Sequence, residues 1–302
     1  MSRVPQEVSR SFTFLVNPAS GGGAAPASVV PVARILRDAG CRVEVTYSPG
    51  PAACTALVAE AVTRGDVVVA VGGDGMVASL AGPVVEVGGL LGMVPSGRGN
   101  DFARQLGLLR EPVAVAAVLL EGAPRPFDVI DVDGRVVVGS VYAGVDSRAS
   151  ELVDRAHRLP RRLQYPYAAV RSILECRPST YDVVVDGETR TFDAFTVVVA
   201  NSGYYGSGMH IAPGAALDDG LLDVVVIEAA SRARLIRTIP KLYDGTHVGL
   251  DEVTVLRGRE VSVRASGPVV AYGDGEALGP LPVTTSVRSG ALRILTEEAP
   301  VR

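Results

Sequence analysis

The chain has 302 residues, 47% of them hydrophobic and 21% charged, the balance of an ordinary folded protein with length enough for two hydrophobic cores. Its formal net charge of −4 argues against a dedicated nucleic-acid binder, which carries positive charge over a whole domain. All but one of the 29 basic side chains are arginine, Lys241 being the exception, and this excludes a phosphate site built around a lysine.

The first predicted element is a β-prone run, Phe12 to Val16, that stops at Asn17-Pro18. A helix is expected around Ser28 to Ala39, with Pro31 in its first turn and Gly40 as its stop. Arg42 to Thr46 reads as the second strand, and Leu57, Val58, Ala61 and Val62 then recur at helical spacing. Val67 to Val71 and Leu90 to Val94 are strands that are apolar throughout. Strands without polar alternation are buried on both faces, which points to a parallel sheet covered by helices. The predicted class is therefore α/β, with a doubly wound first domain over 1–126.

In such sheets ligands bind beyond the C-terminal ends of the strands. Three strand ends carry unusual punctuation: Asn17-Pro18-Ala19-Ser20-Gly21-Gly22-Gly23, Gly72-Gly73-Asp74-Gly75, and Pro95-Ser96-Gly97-Arg98-Gly99-Asn100-Asp101. All three are expected on one edge. Glycines after a buried strand let backbone N–H groups approach a phosphate closely. A helix beginning near Met76 adds its positive end, and Asp74 sits where a carboxylate serves a hydrated magnesium ion. A tight turn without ligand is the competing reading of any one loop. The sequence lacks the lysine of a P-loop and the Gly-x-Gly-x-x-Gly of a dinucleotide fold at this point, so a kinase of another kind is expected.

From about Phe127 the pattern changes. Val129 to Val132 and Arg135 to Ala143 read as paired strands around an Asp133-Gly134 turn. Helices are expected over Ser147 to His157 and Arg162 to Glu175, then Tyr181 to Val185, a turn at Asp186-Gly187, Thr191 to Ala200 and Leu221 to Ile227 as strands. Short strands joined by turns predict an antiparallel β-sandwich over 127–290. The segment 291–302 is free to return to the first domain. Cys41, Cys54 and Cys176 show no metal-ligand spacing and read as free thiols of a reducing compartment. Met1 to Arg10 lacks the apolar core of a signal peptide. No apolar run approaches the roughly 20 residues of a membrane span, so a cytoplasmic protein that meets lipid from the surface is expected.

Asn17 to Gly21, Gly72 to Gly75, Pro95 through Asn100-Asp101-Phe102-Ala103-Arg104, and Asp274-Gly275-Glu276 stand in an order that resembles the diacylglycerol kinase family of lipid kinases, sphingosine kinases included. Ala212-Pro213 to Asp218-Asp219-Gly220-Leu221-Leu222-Asp223 resembles that family's second-domain signature. The resemblance implies an α/β nucleotide domain, a β-rich domain and a cleft between them. It implies ATP contacts from Asn17, Pro18, Ala19, Ser20, Gly21, Thr46, Gly72, Gly73, Asp74, Gly75, Met76, Gly97, Arg98 and Asp101. Asp74 would organise Mg2+, and Glu276 with Asp274 would form an acidic pair that deprotonates the lipid hydroxyl. Asp146 would meet the lipid head. Asp219, with the carbonyls of Ala216 and Leu221, would hold a second, structural magnesium.

The resemblance implies a lipid substrate at the membrane surface; the net charge argues against nucleic acid, and a homodimer is left open. Two positions depart from the family pattern: Met76 and Arg98 stand where threonines are usual. Arg98 has two readings, a forked donor to phosphate or an obstruction that leaves a non-catalytic binding protein. An NAD kinase shares the Gly-Gly-Asp-Gly loop and remains an alternative, as do other lipid alcohols as acceptor. Arg155, His157, Arg158, Arg161 and Arg162 with Tyr165-Pro166-Tyr167 read as a solvated helix face or as a basic contact to anionic lipid.

Overall fold

A computed structural model of the chain describes residues 10–18, 20, 25–48, 50–148, 152 and 161–297. The chain divides into two units, residues 1–127 with 291–302, and residues 128–290.

In the first unit, strands β1 (Ser11–Val16), β2 (Arg42–Tyr47), β3 (Val67–Gly72) and β4 (Leu91–Pro95) alternate with helices α1 (Ala25–Asp38), α2 (Pro51–Thr63) and α3 (Asp74–Glu86). Helices α4 (Asp101–Gln105) and α5 (Pro112–Glu121) follow. The strands run parallel in the order β4-β3-β1-β2. Phe12, Phe14, Val16, Val67, Val69 and Val71 pack into one core with α1 and α5 residues such as Val29, Leu36, Val115 and Leu119. The opposite face is covered too: Leu15, Val68 and Ala70 are buried, and α2 and α3 pack on β3 and on each other. Burial on both faces is why these strands carry no polar alternation. The chain's last strand joins this sheet, with Ile294 beside Leu91 in parallel register.

One polar cluster sits beneath this sheet's N-terminal edge. The buried carboxylate of Asp66 accepts hydrogen bonds from Ser11 at 2.6 Å and Thr13 at 2.8 Å, and pairs with Arg42 and Arg64. Burial pushes its pKa up, but these hydrogen bonds and the charge of Arg42 outweigh that and hold it below the usual carboxylate range.

Strand β5 (Ala123–Val132) begins in the first unit and ends in the second, which continues with β6 (Arg135–Val137), β7 (Ser140–Gly144), helix α6 (Arg161–Glu175), β8 (Ser179–Val185) and β9 (Glu188–Ala200). Then come β10 (Tyr204–Tyr205), β11 (Met209–His210), β12 (Leu222–Glu228), helix α7 (Arg232–Asp244), β13 (Val253–Gly258), β14 (Glu260–Ala265), β15 (Val270–Gly273), β16 (Glu276–Pro280) and β17 (Val283–Thr296). Neighbouring strands here are antiparallel, as in β7 on β9, β8 on β9 and β12 on β13. Val141, Val183, Val197, Val224, Val261 and Val283 form one apolar layer. Tyr142, Phe195, Val198, Val225 and Leu235 of α7 form another on the far side. A sandwich-like, strand-rich unit follows from these two layers.

Three Asp-Gly pairs make the tight hairpins. Asp133 and Gly134 have φ of 50° and 85°, Asp186 and Gly187 48° and 89°, Asp274 and Gly275 50° and 91°. Both central residues are left-handed, the geometry that matches strand twist in a two-residue turn. Part of the predicted helix Ser147 to His157, and Arg155, His157 and Arg158 of the basic stretch, lie outside the described residues. Among the described residues no helix is long and apolar enough to cross a membrane.

Candidate active site

The three punctuated loops meet at the C-terminal edge of the first sheet. Because β1, β3 and β4 are parallel neighbours, their C-termini share that edge. Asn17 N–H donates to the Val71 carbonyl at 3.3 Å, and Gly73 N–H donates to the Ser20 hydroxyl at 3.0 Å. Ser96 and Gly97 N–H both donate to the Gly72 carbonyl, at 2.8 and 3.2 Å. Thr46 on β2, half-buried and in register with Leu15, stands at the same edge. Pro18 is exposed, and Ala19 and Gly21 lie outside the described residues.

Glycine at 73 and 97 is a steric requirement. A Cβ on Gly97 would lie 2.3 Å from Gly73 Cα, and one on Gly73 would lie 3.0 Å from Gly97 Cα. Only backbone against backbone fits. Asn100, left-handed at φ 51°, closes the Pro95–Asp101 loop on itself. Its Oδ1 accepts from Gly97 N–H at 2.8 Å and its Nδ2 donates to the Gly97 carbonyl at 3.1 Å. Arg110 Nη2 donates to the same carbonyl at 2.8 Å. Asn100 and Arg110 were not among the predicted site residues. The Asn-Asp motif exposes the first; the second lies after the motif and carries no local signal.

Asp74 opens α3 and its Oδ1 accepts the Phe102 N–H at 3.0 Å, which ties the Gly-Gly-Asp-Gly loop to the start of α4. Burial pushes its pKa up, against the amides of Phe102, Asp101 and Asn100 that favour the charged form. A carboxylate whose charge is costly by desolvation fits the neighbourhood of a cation. Gly72, Gly73, Asp74, Pro95 and Asn100 line a small pocket floored by Ala70 and Met93.

The Met76 side chain is buried, its Cβ 2.7 Å from where a Cβ on Gly72 would sit, which leaves its backbone as the part able to meet a ligand. Gly75 is exposed with open space around it. Arg98 is exposed at the loop tip and is not among the residues lining the pocket. Asp101 is buried in the first turn of α4, with Arg104 Nε 3.7 Å from its Oδ1.

In the second unit the predicted residues have separate partners. Asp274 is spent on the backbone: its carboxylate accepts N–H from Val138 at 2.7 Å, Gly139 at 2.9 Å and Ser140 at 3.2 Å. These three hydrogen bonds fix the turn before Glu276. The same grip divides the single strand expected from Arg135 to Ala143 into β6 and β7. Glu276 is half exposed and ion-paired with Arg135 at 2.5 Å.

Asp146 Oδ2 lies 2.5 Å from Thr196 Oγ1. Burial raises its pKa, while hydrogen bonds from Thr196 and Tyr205 oppose the rise. Tyr205 packs edge-on against Tyr142, which stacks on Tyr272 at 6.1 Å. The carboxyl is thus engaged inside a tyrosine-lined corner.

The expected structural magnesium does not fit its residues as they stand. Arg257, directly across from Asp223 on the paired strand, reaches the carboxylates of both Asp219 and Asp223. Asp219 Oδ1 also accepts the Leu221 N–H at 3.0 Å. A guanidinium supplies the positive charge there, and Ala216 brings no side-chain ligand. Among the described residues no three His, Cys, Asp or Glu side chains are grouped as a metal site.

Two family comparisons cover the chain. The Diacylglycerol kinase catalytic domain matches residues 11–132, and the YegS C-terminal NAD kinase beta sandwich-like domain matches residues 139–296. A Mycobacterium tuberculosis protein called diacylglycerol kinase is 34% identical over 293 residues, 94% of each chain. A Bacillus subtilis protein of that name is 26% identical over 277 residues, covering 89% of this chain and 90% of the relative. The crystal structure of a putative diacylglycerol kinase from Bacillus anthracis has the same fold, with a TM-score of 0.80, 19% identity, and 100% and 99% of the two chains covered. The chain belongs to the diacylglycerol kinase family and is a phosphotransferase with an alcohol group as acceptor.

Proposed function

We propose that the protein transfers the γ-phosphate of ATP to a lipid primary hydroxyl, with diacylglycerol as acceptor and phosphatidic acid as product. The observation that carries this reading is the junction at Asp74. A half-buried carboxylate stands where loops from three parallel strands meet, beside the close-packed backbones of Gly73 and Gly97. The glycine backbones of Gly72, Gly73 and Gly97 would cradle the phosphates, with Asn17, Ser20 and Thr46 at the rim. Mg2+, held by Asp74 and the nucleotide, would neutralise charge between the phosphates.

Phosphoryl transfer has a loose transition state, so positioning and charge neutralisation carry most of the catalysis. Glu276 is the proposed base: the acceptor O–H proton passes to its carboxylate as the oxygen bonds to Pγ. The Pγ–O bond to the β-phosphate breaks, and its electron pair leaves with ADP. Asp146 and the tyrosines around it are proposed to border the lipid head. The reading carries with it a cytoplasmic protein that works at the membrane surface, and a homodimer is its expected assembly. Arg98, exposed at the loop tip, is proposed as a charged donor to phosphate.

Purified protein is incubated with labelled ATP, Mg2+ and diacylglycerol in mixed micelles. Labelled phosphatidic acid is the expected product. No labelled lipid from diacylglycerol, sphingoid bases or other lipid alcohols would sink the reading. Phosphorylation of NAD in place of lipid would move the activity to another substrate class.

A further inference from the structure

The Asp-Gly turns place two side chains of opposite charge at matching positions. Arg135 is the first residue after Asp133-Gly134, and Glu276 is the first after Asp274-Gly275. Each turn is anchored: Asp131 Oδ1 accepts the Gly134 N–H at 2.9 Å, and Asp274 accepts three amides of the 138–140 segment. The two side chains therefore leave rigid backbone. Arg135 Nη2 meets Glu276 Oε2 at 2.5 Å, and its Nη1 lies 3.4 Å from the Ala277 carbonyl. The guanidinium grips both the carboxylate and the backbone that carries it.

Stability does not account for this pair. The side chains are 45% and 56% exposed, and exposed ion pairs add little to folding. Glutamate has three side-chain torsions and on the outermost strand β16 few neighbours to restrict them. A base must stand within hydrogen-bond reach of the proton it takes, and loss of that placement is costly. We propose that Arg135 is the positioning residue of the phosphoryl transfer, holding Glu276 by Oε2 so that Oε1 is presented to the acceptor hydroxyl. The proposal rests on the reading of Glu276 as base.

The test uses the full chain with four substitutions in the lipid kinase assay: Arg135→Ala, Arg135→Lys, Glu276→Gln, and Arg135→Ala with Glu276→Gln. Arg135→Ala is expected to lower kcat by about 10- to 100-fold with KM for ATP and the melting temperature unchanged. Arg135→Lys keeps the charge without the fork and should restore part of the loss. Adding Arg135→Ala to Glu276→Gln should cost nothing further, because the group being positioned is gone. Normal kcat in Arg135→Ala, with Glu276→Gln inactive, overturns the positioning role and leaves the base intact. Independent losses that multiply in the double variant, or loss of melting temperature in parallel with kcat in both Arg135 variants, overturn it as well. Near-normal turnover in Glu276→Gln overturns both readings together.

Discussion

Replacing Gly97 by alanine puts a methyl group 2.3 Å from Gly73 Cα and 2.9 Å from both Gly73 N and Asn100 Oδ1. Carbon atoms in contact stand about 3.5–4.0 Å apart, so one loop must retreat by a little over 1 Å. Two of these atoms are backbone, and the third, Asn100 Oδ1, is pinned by its hydrogen bond from Gly97 N–H. Gly73 N–H is tied to Ser20 at 3.0 Å, and Gly97 is held by Asn100 and Arg110 through its own N–H and carbonyl. Yielding breaks at least two of these hydrogen bonds, each worth about 0.5–1.5 kcal/mol net. The expected destabilisation is thus about 1–3 kcal/mol, and a displacement of that size at a reacting group costs roughly 100-fold in rate. Thermal unfolding and kcat/KM for ATP measure the two effects. Gly75→Ala is the control, because nothing lies within 4 Å of a Cβ there; its melting temperature should be unchanged or higher. A Gly97→Ala protein with wild-type melting temperature and wild-type kcat/KM would refute the close-approach argument.

Asp74→Asn is expected to abolish transfer without lowering the melting temperature. Burial raises the Asp74 pKa, so its charged form costs stability once pH rises through that value, and the amide keeps an acceptor for Phe102 N–H. A clear loss of melting temperature at pH 7 would show that the carboxylate is structural. Asp66→Asn has the opposite sign. Its folded pKa is depressed, so its contribution is present above the unfolded value of about 4 and fades as pH falls through the folded one. The melting-temperature gap to wild type should be widest near neutrality and close in acid; a gap independent of pH would contradict this. Arg257→Ala leaves buried Asp223 unpaired and should cost about 1–2 kcal/mol after screening of the half-exposed guanidinium. Chelator added to the nucleotide-free wild type should leave its melting temperature unchanged, and a drop that Asp219→Asn abolishes would restore a metal to that site.

Much of the first unit was legible because its signals are local. Val67 to Val71 is apolar on both faces, and that pattern alone specifies a covered parallel strand. Gly73 and Gly97 announce close backbone approach, and the hairpins at Asp133-Gly134 and Asp186-Gly187 announce left-handed turns. What stayed hidden depends on partners far along the chain. Arg135 to Ala143 has the apolar content of one strand, and nothing nearby says that a carboxylate from position 274 will capture three of its amides. Helix α7 was missed for another reason. Its apolar residues Leu235, Ile236 and Ile239 lie among arginines and Pro240, although Ser231, which accepts the Arg234 N–H, and left-handed Gly245 do mark its ends.

The two acidic residues of Asp274-Gly275-Glu276 show how far motif and geometry each reach. The motif presents two carboxylates two residues apart, and by residue type either is a base. Geometry separates them by what each oxygen already accepts. Asp274 takes three amide N–H groups on two oxygens, and a proton added there would displace a hydrogen bond that holds the turn. Glu276 takes a single guanidinium on Oε2, and in the proposed reading its other oxygen would receive the acceptor proton. A left-handed aspartate is common in two-residue turns for its own local reasons, so its presence in the motif is explained by the backbone it supports. The glutamate that follows gains a fixed starting point from that turn, and the side chain across from it supplies the remaining constraint.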